Sequence, residues 1–442
     1  MSAAAQARRR SGADELEIIA FERGRFTSYA ACGLPYFVGG LVPDAGSLVA
    51  RSPERFLSQG IDARIGHEVE AIDLRRRTLC VRDLDSGAVS TEAFDQLLVA
   101  TGAAPLRPPL PGVDARGVFS IQTLTDGIAL RARLDSGGPT RAVVVGGGYI
   151  GLEMAEAMLL RGLEVTLVEM ADQPMSTLDP DMGSLVTDAL RSAGVDVRLG
   201  SAVNGFETDA SGSVSGVATS DGTVPAEVVV LGLGVRPNSS LAAESGLATG
   251  KTGGVVTDSR METAVEGVWA AGDCVETYHR LSRLPIAIAL GTHANKQGRV
   301  VGVNATGGDL TFPGVIGTAV TKVCDFEIAR TGLGERDAAA AGFDATAAKV
   351  EGATRAHYYP DAAQISIKVV AEKGTGRLLG AQIVGGEGAA KRIDVLAAAI
   401  WSGMSADELS QLDLGYAPPF SPVWDPVLIA ARKAAEATGT IY

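Results

Sequence analysis

The stretch RAVVVGGGYIGLEMAEAMLLRGLEVTLVEM, residues 141–170, decides the fold. An apolar run at 141–145 leads straight into Gly146-Gly147-Gly148-Tyr149-Ile150-Gly151. LEMAEAMLLRG then has the apolar spacing of a helix, and EVTLVEM reads as a second strand carrying Glu169. Strand, glycine turn, helix, strand and acid together make the βαβ unit that binds a dinucleotide. The first glycine of Gly146-x-Gly148-x-x-Gly151 makes the tight turn, the second lets the backbone approach a pyrophosphate, and the third lets helix and strand pack closely. The phosphates then rest at the positive end of the helix. Glu169 lies 169 − 151 = 18 residues after Gly151, where an acid accepts hydrogen bonds from a ribose 2′-hydroxyl. The following MADQPM has no Arg or Lys for a 2′-phosphate, so NADH is expected ahead of NADPH.

The rest of the chain is consistent with a nucleotide-binding protein. Its 442 residues suggest about three domains. The formal charge, 39 − 52 = −13, argues against nucleic-acid or membrane-surface partners, which select positive charge. A hydrophobic fraction of 46% supports folded cores. Cys32, Cys80, Cys274 and Cys324 show no short paired spacing, so neither a disulfide framework nor a metal site is expected, and a reducing, cytoplasmic setting is. The start, MSAAAQARRRSGADELE, lacks the apolar region of a signal peptide, and runs such as LPIAIAL are too short to span a bilayer.

Two further segments resemble each other. LLVATGAAP (97–105) and VVVLGLGVRP (228–237) each run from a buried strand through a glycine turn to a proline, which points to two related nucleotide domains. RPPLPG (107–112) reads as a linker because proline at this density prevents helix and central strand. After about residue 310 the pattern changes. QISIKVV (364–370) alternates as a half-buried strand, LLGAQIVGG is its expected hairpin partner, and GAAKRIDVLAAAIWSGM reads as an amphipathic helix. This makes an α+β third domain.

Two N-terminal residues carry chemistry. LEIIAF ends at Glu22, and as the ribose acid of a first βαβ unit Glu22 puts that unit's glycine loop at or before Met1. The sequence is then expected to begin inside the first helix, at MSAAAQARRR; the alternative is a surface acid at a strand end. Cys32 lies in FTSYAACGLPYFVGG, with Arg23 and Arg25 near it in sequence and Phe37, not a second cysteine, after it. A reactive thiol needs positive or dipolar surroundings. Spacing alone leaves Cys32 open between an inert core thiol and a redox centre.

These motifs resemble the pyridine nucleotide–disulfide oxidoreductases, in particular their single-cysteine branch of coenzyme A disulfide reductases and NADH oxidases. The resemblance spans essentially the whole chain. It is carried by FERGRFTSYAACGLPYFVGG (21–40), ATGAAPLRPPLPG (100–112), VVVGGGYIGLEMAE (143–156), LGVRPN (233–238), GVWAAGDC (267–274), ANKQGR (294–299), KRIDVLAAAI (391–400) and GYAPPFSPVWDPV (415–427).

The resemblance implies an α/β protein with two doubly wound Rossmann-like domains and an α+β C-terminal dimerisation domain. FAD would occupy residues 1–112 and 241–310, NAD(P)H residues 113–240, and dimerisation residues 311–442. It implies FAD contacts at Glu22, Arg23, Thr101, Gly102, Gly272 and Asp273, with Asp273 on the ribityl chain. The nicotinamide dinucleotide falls to Gly146, Gly148, Tyr149, Ile150, Gly151, Glu153, Glu169 and Gly234, with Tyr149 at the nicotinamide–flavin contact. Cys32 becomes the redox sulfur, and Tyr358 and Tyr416 face the opposite subunit's sulfur in a homodimer. Substrate contacts match Ser2, Gln6, Arg9, Ser28, Arg64 and His293, although Arg8, Arg9 and Arg10 also read as a solvated helix face. Ala31 stands where the coenzyme A disulfide reductases have Asn, and Trp424 where they have Lys. The implied activity is NAD(P)H-dependent reduction of a small disulfide through Cys32. Its alternatives are reduction of oxygen or peroxide through a Cys32 sulfenate, and a flavin-free NADH-binding protein.

Overall fold

A computed structural model describes residues 1–440. At its centre is a five-stranded parallel sheet in the order Asp196–Arg198, Glu164–Val168, Arg141–Val145, Val228–Leu231, Val118–Ser120. Val143, Val144 and Val145 are all buried, as a parallel strand covered on both faces requires. The helix Tyr149–Leu160 returns across this sheet, and the antiparallel strands Val203–Thr208, Val214–Thr219 and Gly222–Pro225 form a separate meander.

The other nucleotide domain is assembled from pieces distant in sequence. Ile19–Glu22 pairs in parallel with Asp62–Ile65, and Leu97–Val99 with Val268–Ala270. The helix Ser2–Arg10 lies against Gly291–Asn304, whose Gly302 permits the approach: a methyl there would sit 2.5 Å from the Ala3 carbonyl oxygen. No strand precedes this first helix among the described residues. The two look-alike segments are joined directly, Ala103–Pro105 pairing antiparallel with Val235–Pro237.

The third domain is a five-stranded antiparallel sheet in the order Ala319–Val323, Phe326–Gly332, Leu378–Gly385, Gln364–Glu372, Ala345–Ala353. The helices Ile393–Ser402 and Pro426–Thr438 pack on it. The hairpin is as read from sequence, but Gln364–Glu372 is not half-buried. Ser366 and Lys368, the polar positions of the alternation, are buried together with Ile365, Ile367 and Val369. The helix Pro180–Ser192 of the central domain packs against this sheet and covers the side that alternation assigned to water. No helix among the described residues is long and apolar enough to cross a membrane.

Candidate active site

The glycine turn folds as its residue types dictate. Gly146 has φ +100°, and a Cβ there would lie 2.6 Å from the Gly232 carbonyl oxygen. A Cβ on Gly151 would collide with the Gly146 carbonyl oxygen, so helix and strand meet backbone to backbone. Gly148 differs, because nothing lies within 4 Å of the position its Cβ would take. That open space, at the start of the helix Tyr149–Leu160, fits a pyrophosphate. Glu169 accepts hydrogen bonds from the Gly147 N–H (2.6 Å) and the Ala171 N–H (2.8 Å), which anchors the acid beside the turn. Ile150 packs beside it, and Gly234, at φ +86°, turns the chain after Val228–Leu231.

Over this turn lies the segment 171–179. A Cβ on Gly147 would come within 3.0 Å of Pro174 Cα, and the Met175 N–H donates to the Gly147 carbonyl (2.8 Å). Thr177 lies near the Tyr149 hydroxyl, and burial pushes that phenol's pKa up. Thr177 carried no signal in the sequence, because its place near Tyr149 is set only by the loop's path.

A second cavity, of about 210 Å³, opens where the Ser2–Arg10 helix begins and is lined by Ser2, Gly102, Gly272, Asp273 and Asn295 among others. Gly272 has φ +91°, and its N–H donates to Gln297 Oε1 (2.7 Å). Gly102, at φ +70°, has nothing within 4 Å of its would-be Cβ. Thr101 Oγ1 donates to the Asn238 carbonyl at 2.5 Å, tying this turn to the chain returning from the central domain. The Asp273 Oδ1 atom is buried without a hydrogen-bond partner, and burial raises its carboxyl pKa. A buried acceptor left unpaired costs about 1–3 kcal/mol, and a polyhydroxyl chain such as ribityl supplies the missing donor. The residues therefore fit FAD. Glu22, exposed at its strand end, accepts from the Gly24 N–H (2.6 Å).

Cys32 is the exposed cysteine of the four, all of which are free. It lies in the short turn Ala31–Gly33 ahead of the helix Leu34–Gly39. Desolvation on its inner side, with the carboxylates of Glu153 and Asp273, raises its pKa. The expected cationic neighbours are engaged elsewhere: Arg23 pairs with Glu68 (3.4 Å) and Arg25 with Asp85 (2.7 Å). Both arginines are nearest Cys32 only in sequence. Glu153 instead accepts from Thr321 Oγ1 of the third domain (3.0 Å), and burial raises its pKa. One turn on, buried Glu156 pairs with Lys322.

The expected substrate residues divide. Ser2, Gln6 and Arg9 lie along one helix, Ser2 bonding Asn295 and Arg9 donating to Gln6 Oε1 (2.7 Å). His293 is on the helix packed against it, its Nδ1 buried and unpaired. Arg64 is occupied by Asp62 (2.7 Å) and Glu92 (3.1 Å), and Ser28 sits at φ +54°. The arginine run is not one solvated face. Arg8 donates to the carbonyls of Gly12, Leu16 and Gly60, while Arg10 donates to Thr306. Tyr358 and Tyr416 are 70% and 58% exposed, and Phe420, Val423 and Trp424 are exposed as well.

Two nucleotide folds, a glycine turn with its acid and one exposed thiol define a flavin- and nicotinamide-dependent oxidoreductase. Comparison with known families makes the assignment specific. Residues 1–298 match the pyridine nucleotide-disulphide oxidoreductase family, and residues 318–426 its dimerisation domain. The chain belongs to this family, whose cofactors are FAD and NAD(P)H. It is 38% identical to an NAD(P)H coenzyme A polysulfide/persulfide reductase of Pyrococcus horikoshii, over 98% of this chain and 95% of the relative. It is 30% identical to a coenzyme A disulfide reductase of Staphylococcus aureus, over 95% and 94%. A solved NAD-dependent persulfide reductase from A. fulgidus superposes with TM-score 0.95 at 40% identity, covering 100% of this chain and 82% of that one.

Proposed function

We propose that the protein is an NADH-dependent reductase of small disulfides or persulfides that works through Cys32 as a homodimer. The observation that carries this reading is that Cys32, alone among four free cysteines, is exposed, at a turn whose charge neighbours include Asp273 of the FAD cavity. Its oxidised partner is therefore external, an incoming sulfur in this reading and an oxygen atom in the alternative. The names of the relatives in both comparisons support the same acceptor class.

Gly148 and the helix behind it receive the pyrophosphate of NADH, Glu169 its ribose, and Tyr149 covers the nicotinamide. Asp273, Gly272, Thr101, Gly102, Glu22 and Arg23 hold FAD, which when bound supplies the two-electron relay between nicotinamide and sulfur. Cys32 attacks the disulfide and releases one thiol. The resulting mixed disulfide is cleaved by two electrons that originate on NADH. The sum is NADH + H⁺ + RSSR → NAD⁺ + 2 RSH. In the dimer, Tyr358 and Tyr416 of one subunit face Cys32 of the other and protonate the leaving sulfur. Ser2, Gln6, Arg9 and His293 bind the acceptor, with Ser28 and the already paired Arg64 at the margin.

The test is a Cys32→Ser variant, assayed with NADH against coenzyme A disulfide, a small persulfide and oxygen. Disulfide turnover should fall by at least about 100-fold while the flavin band still bleaches with NADH. Full disulfide turnover by the variant overturns the reading. Oxygen uptake indifferent to added disulfide would move the acceptor to oxygen.

A further inference from the structure

The interface between the central and third domains contains a buried cation that the reaction scheme leaves unused. Lys368, 5% exposed and in the middle of the strand Gln364–Glu372, meets three carboxylates: Asp179 (3.2 Å), Asp181 (2.7 Å) and Glu335. Burial opposes its charge, yet hydrogen bonds to Asp181 and Glu335 and the charge of Asp179 more than offset this, holding the ammonium above the ordinary lysine range. The three acids lie close enough together to resemble a metal site, but the ammonium among them already serves as their counter-ion.

Asp179 is the best-held residue of the cluster. Its N–H donates to Gln382 Oε1 (2.8 Å), its Oδ2 accepts from Gln382 Nε2 (2.8 Å), and its Oδ1 accepts from the Glu335 N–H (3.0 Å). Gly334 makes room for it, since a Cβ there would stand 2.8 Å from Asp179 Oδ1. Every one of these partners belongs to the third domain.

Asp179 also ends the segment 171–179 that lies over the dinucleotide glycine turn. That segment is not relaxed. Met175 is buried at φ +51°, a left-handed conformation that persists in a non-glycine residue only where its surroundings enforce it. Its N–H holds the Gly147 carbonyl (2.8 Å), Leu178 N–H donates back to the Met175 carbonyl (2.8 Å), and Gln173 donates to the Leu178 carbonyl (3.0 Å). Glu169 and Ala171 fix one end of the segment, and the third domain fixes the other through Asp179.

We infer that Lys368 is a positioning residue for NADH: from the third domain it holds Asp179, and through Asp179 it seats residues 172–178 on the glycine turn. The inference rests on the assignment of Gly146–Gly151 and Glu169 to NADH. Release of this anchor lets the strained segment relax away from the turn. NADH affinity then falls, whereas the acceptor side, built on Cys32 and the Ser2–Arg10 helix, is left alone.

The experiment compares wild type, Lys368→Met, Lys368→Arg and Asp179→Asn by equilibrium NADH titration, by steady-state KM for NADH and for acceptor, and by hydrogen exchange of the 171–179 peptide. Lys368→Met should weaken NADH binding about tenfold and speed exchange of the peptide, leaving the acceptor KM within about twofold. Lys368→Arg, which keeps the charge, should restore most of the affinity. Asp179→Asn serves if Lys368→Met does not fold, since it keeps the shape and the Gln382 contact. Wild-type NADH affinity in folded Lys368→Met or Asp179→Asn, or equal worsening of both KM values, overturns the inference. A wild-type protein that binds no NADH overturns instead the dinucleotide assignment on which it rests.

Discussion

Gly146 and Gly148 are two residues apart in one turn, yet the structure predicts opposite outcomes when each becomes alanine. At Gly146 the backbone has φ +100°, outside the region L-residues occupy, and the added Cβ would lie 2.6 Å from the Gly232 carbonyl oxygen and 2.9 Å from its carbon. Reaching even 3.0 Å takes 3.0 − 2.6 = 0.4 Å of backbone movement between two buried strands, neither able to yield as a flexible side chain would. Backbone strain of about 1–2 kcal/mol plus overpacking of about 1–2 kcal/mol gives a loss of roughly 2–4 kcal/mol in the central domain. At about 2–4 °C per kcal/mol, Tm drops by roughly 4–16 °C. Gly148, with φ −81° and ψ −171°, has a backbone open to any residue and nothing within 4 Å of its would-be Cβ. Alanine is a poorer helix N-cap than glycine, so stability changes by less than about 1 kcal/mol. The methyl group instead projects into the space assigned to the pyrophosphate, and NADH affinity falls about tenfold or more. Scanning fluorimetry and NADH titration on wild type and both variants separate the two effects. A Gly146→Ala protein with unchanged Tm, or a Gly148→Ala protein that binds NADH like wild type, refutes the reasoning.

Lys322→Met strands the buried Glu156 carboxylate, whose side chain is 10% exposed, and should cost about 1–3 kcal/mol in urea unfolding, with most of it recovered in the double variant carrying Glu156→Gln; a loss under about 0.5 kcal/mol would show that water replaces the ammonium. Desolvation and neighbouring Lys296 hold the His293 pKa down at about 4. The unfolded chain therefore takes up a proton near pH 6.5 that the folded chain refuses until about pH 4, and stability declines as pH falls through that window. Between pH 7 and 4.5 wild type should lose on the order of 1–2 kcal/mol more than His293→Gln, and identical pH profiles would refute it.

What could be read from the sequence was whatever short-range chemistry forces into particular residue types. The glycines at 146 and 151 are legible because a positive φ and a backbone contact each exclude a Cβ, and Gly148 because the cradle must stay open for a phosphate. The hairpin of Gln364–Glu372 with Leu378–Gly385 is legible because turn and alternation are local. Long-range burial is not. Ser366 and Lys368 spell a solvent face, and the docking of Pro180–Ser192 against the sheet turns that face inward and brings Asp179 and Asp181 to Lys368. Arg8 misleads in the same way, because its partners are backbone carbonyls, which no side-chain pattern announces. Proximity in sequence also suggested Arg23 and Arg25 as neighbours of Cys32, whereas Glu68 and Asp85 hold them on other strands and turns.

The raised pKa of Cys32 bears on how the proposed reaction would run. With both arginines engaged, desolvation and the carboxylates of Glu153 and Asp273 outweigh a backbone hydrogen bond that favours the anion, and the Cys32 pKa is raised. A thiol held above its ordinary pKa is neutral at neutral pH, and it is this protonated form that the reduced site presents. Reduction then returns Cys32 as a protonated thiol, and the proton in the net equation is taken up with the electrons across a wider pH range than for an ordinary thiol. The cost falls on the attacking step, where Cys32 must lose that proton. Glu153 stands at the point where the two demands meet. Burial raises its own carboxyl pKa, its Thr321 contact comes from the third domain, and its charge is one of those acting on Cys32. In the proposed scheme the third domain thus reaches both half-sites within one subunit, the sulfur side through the Thr321–Glu153 contact and the nicotinamide side through Lys368 and Asp179.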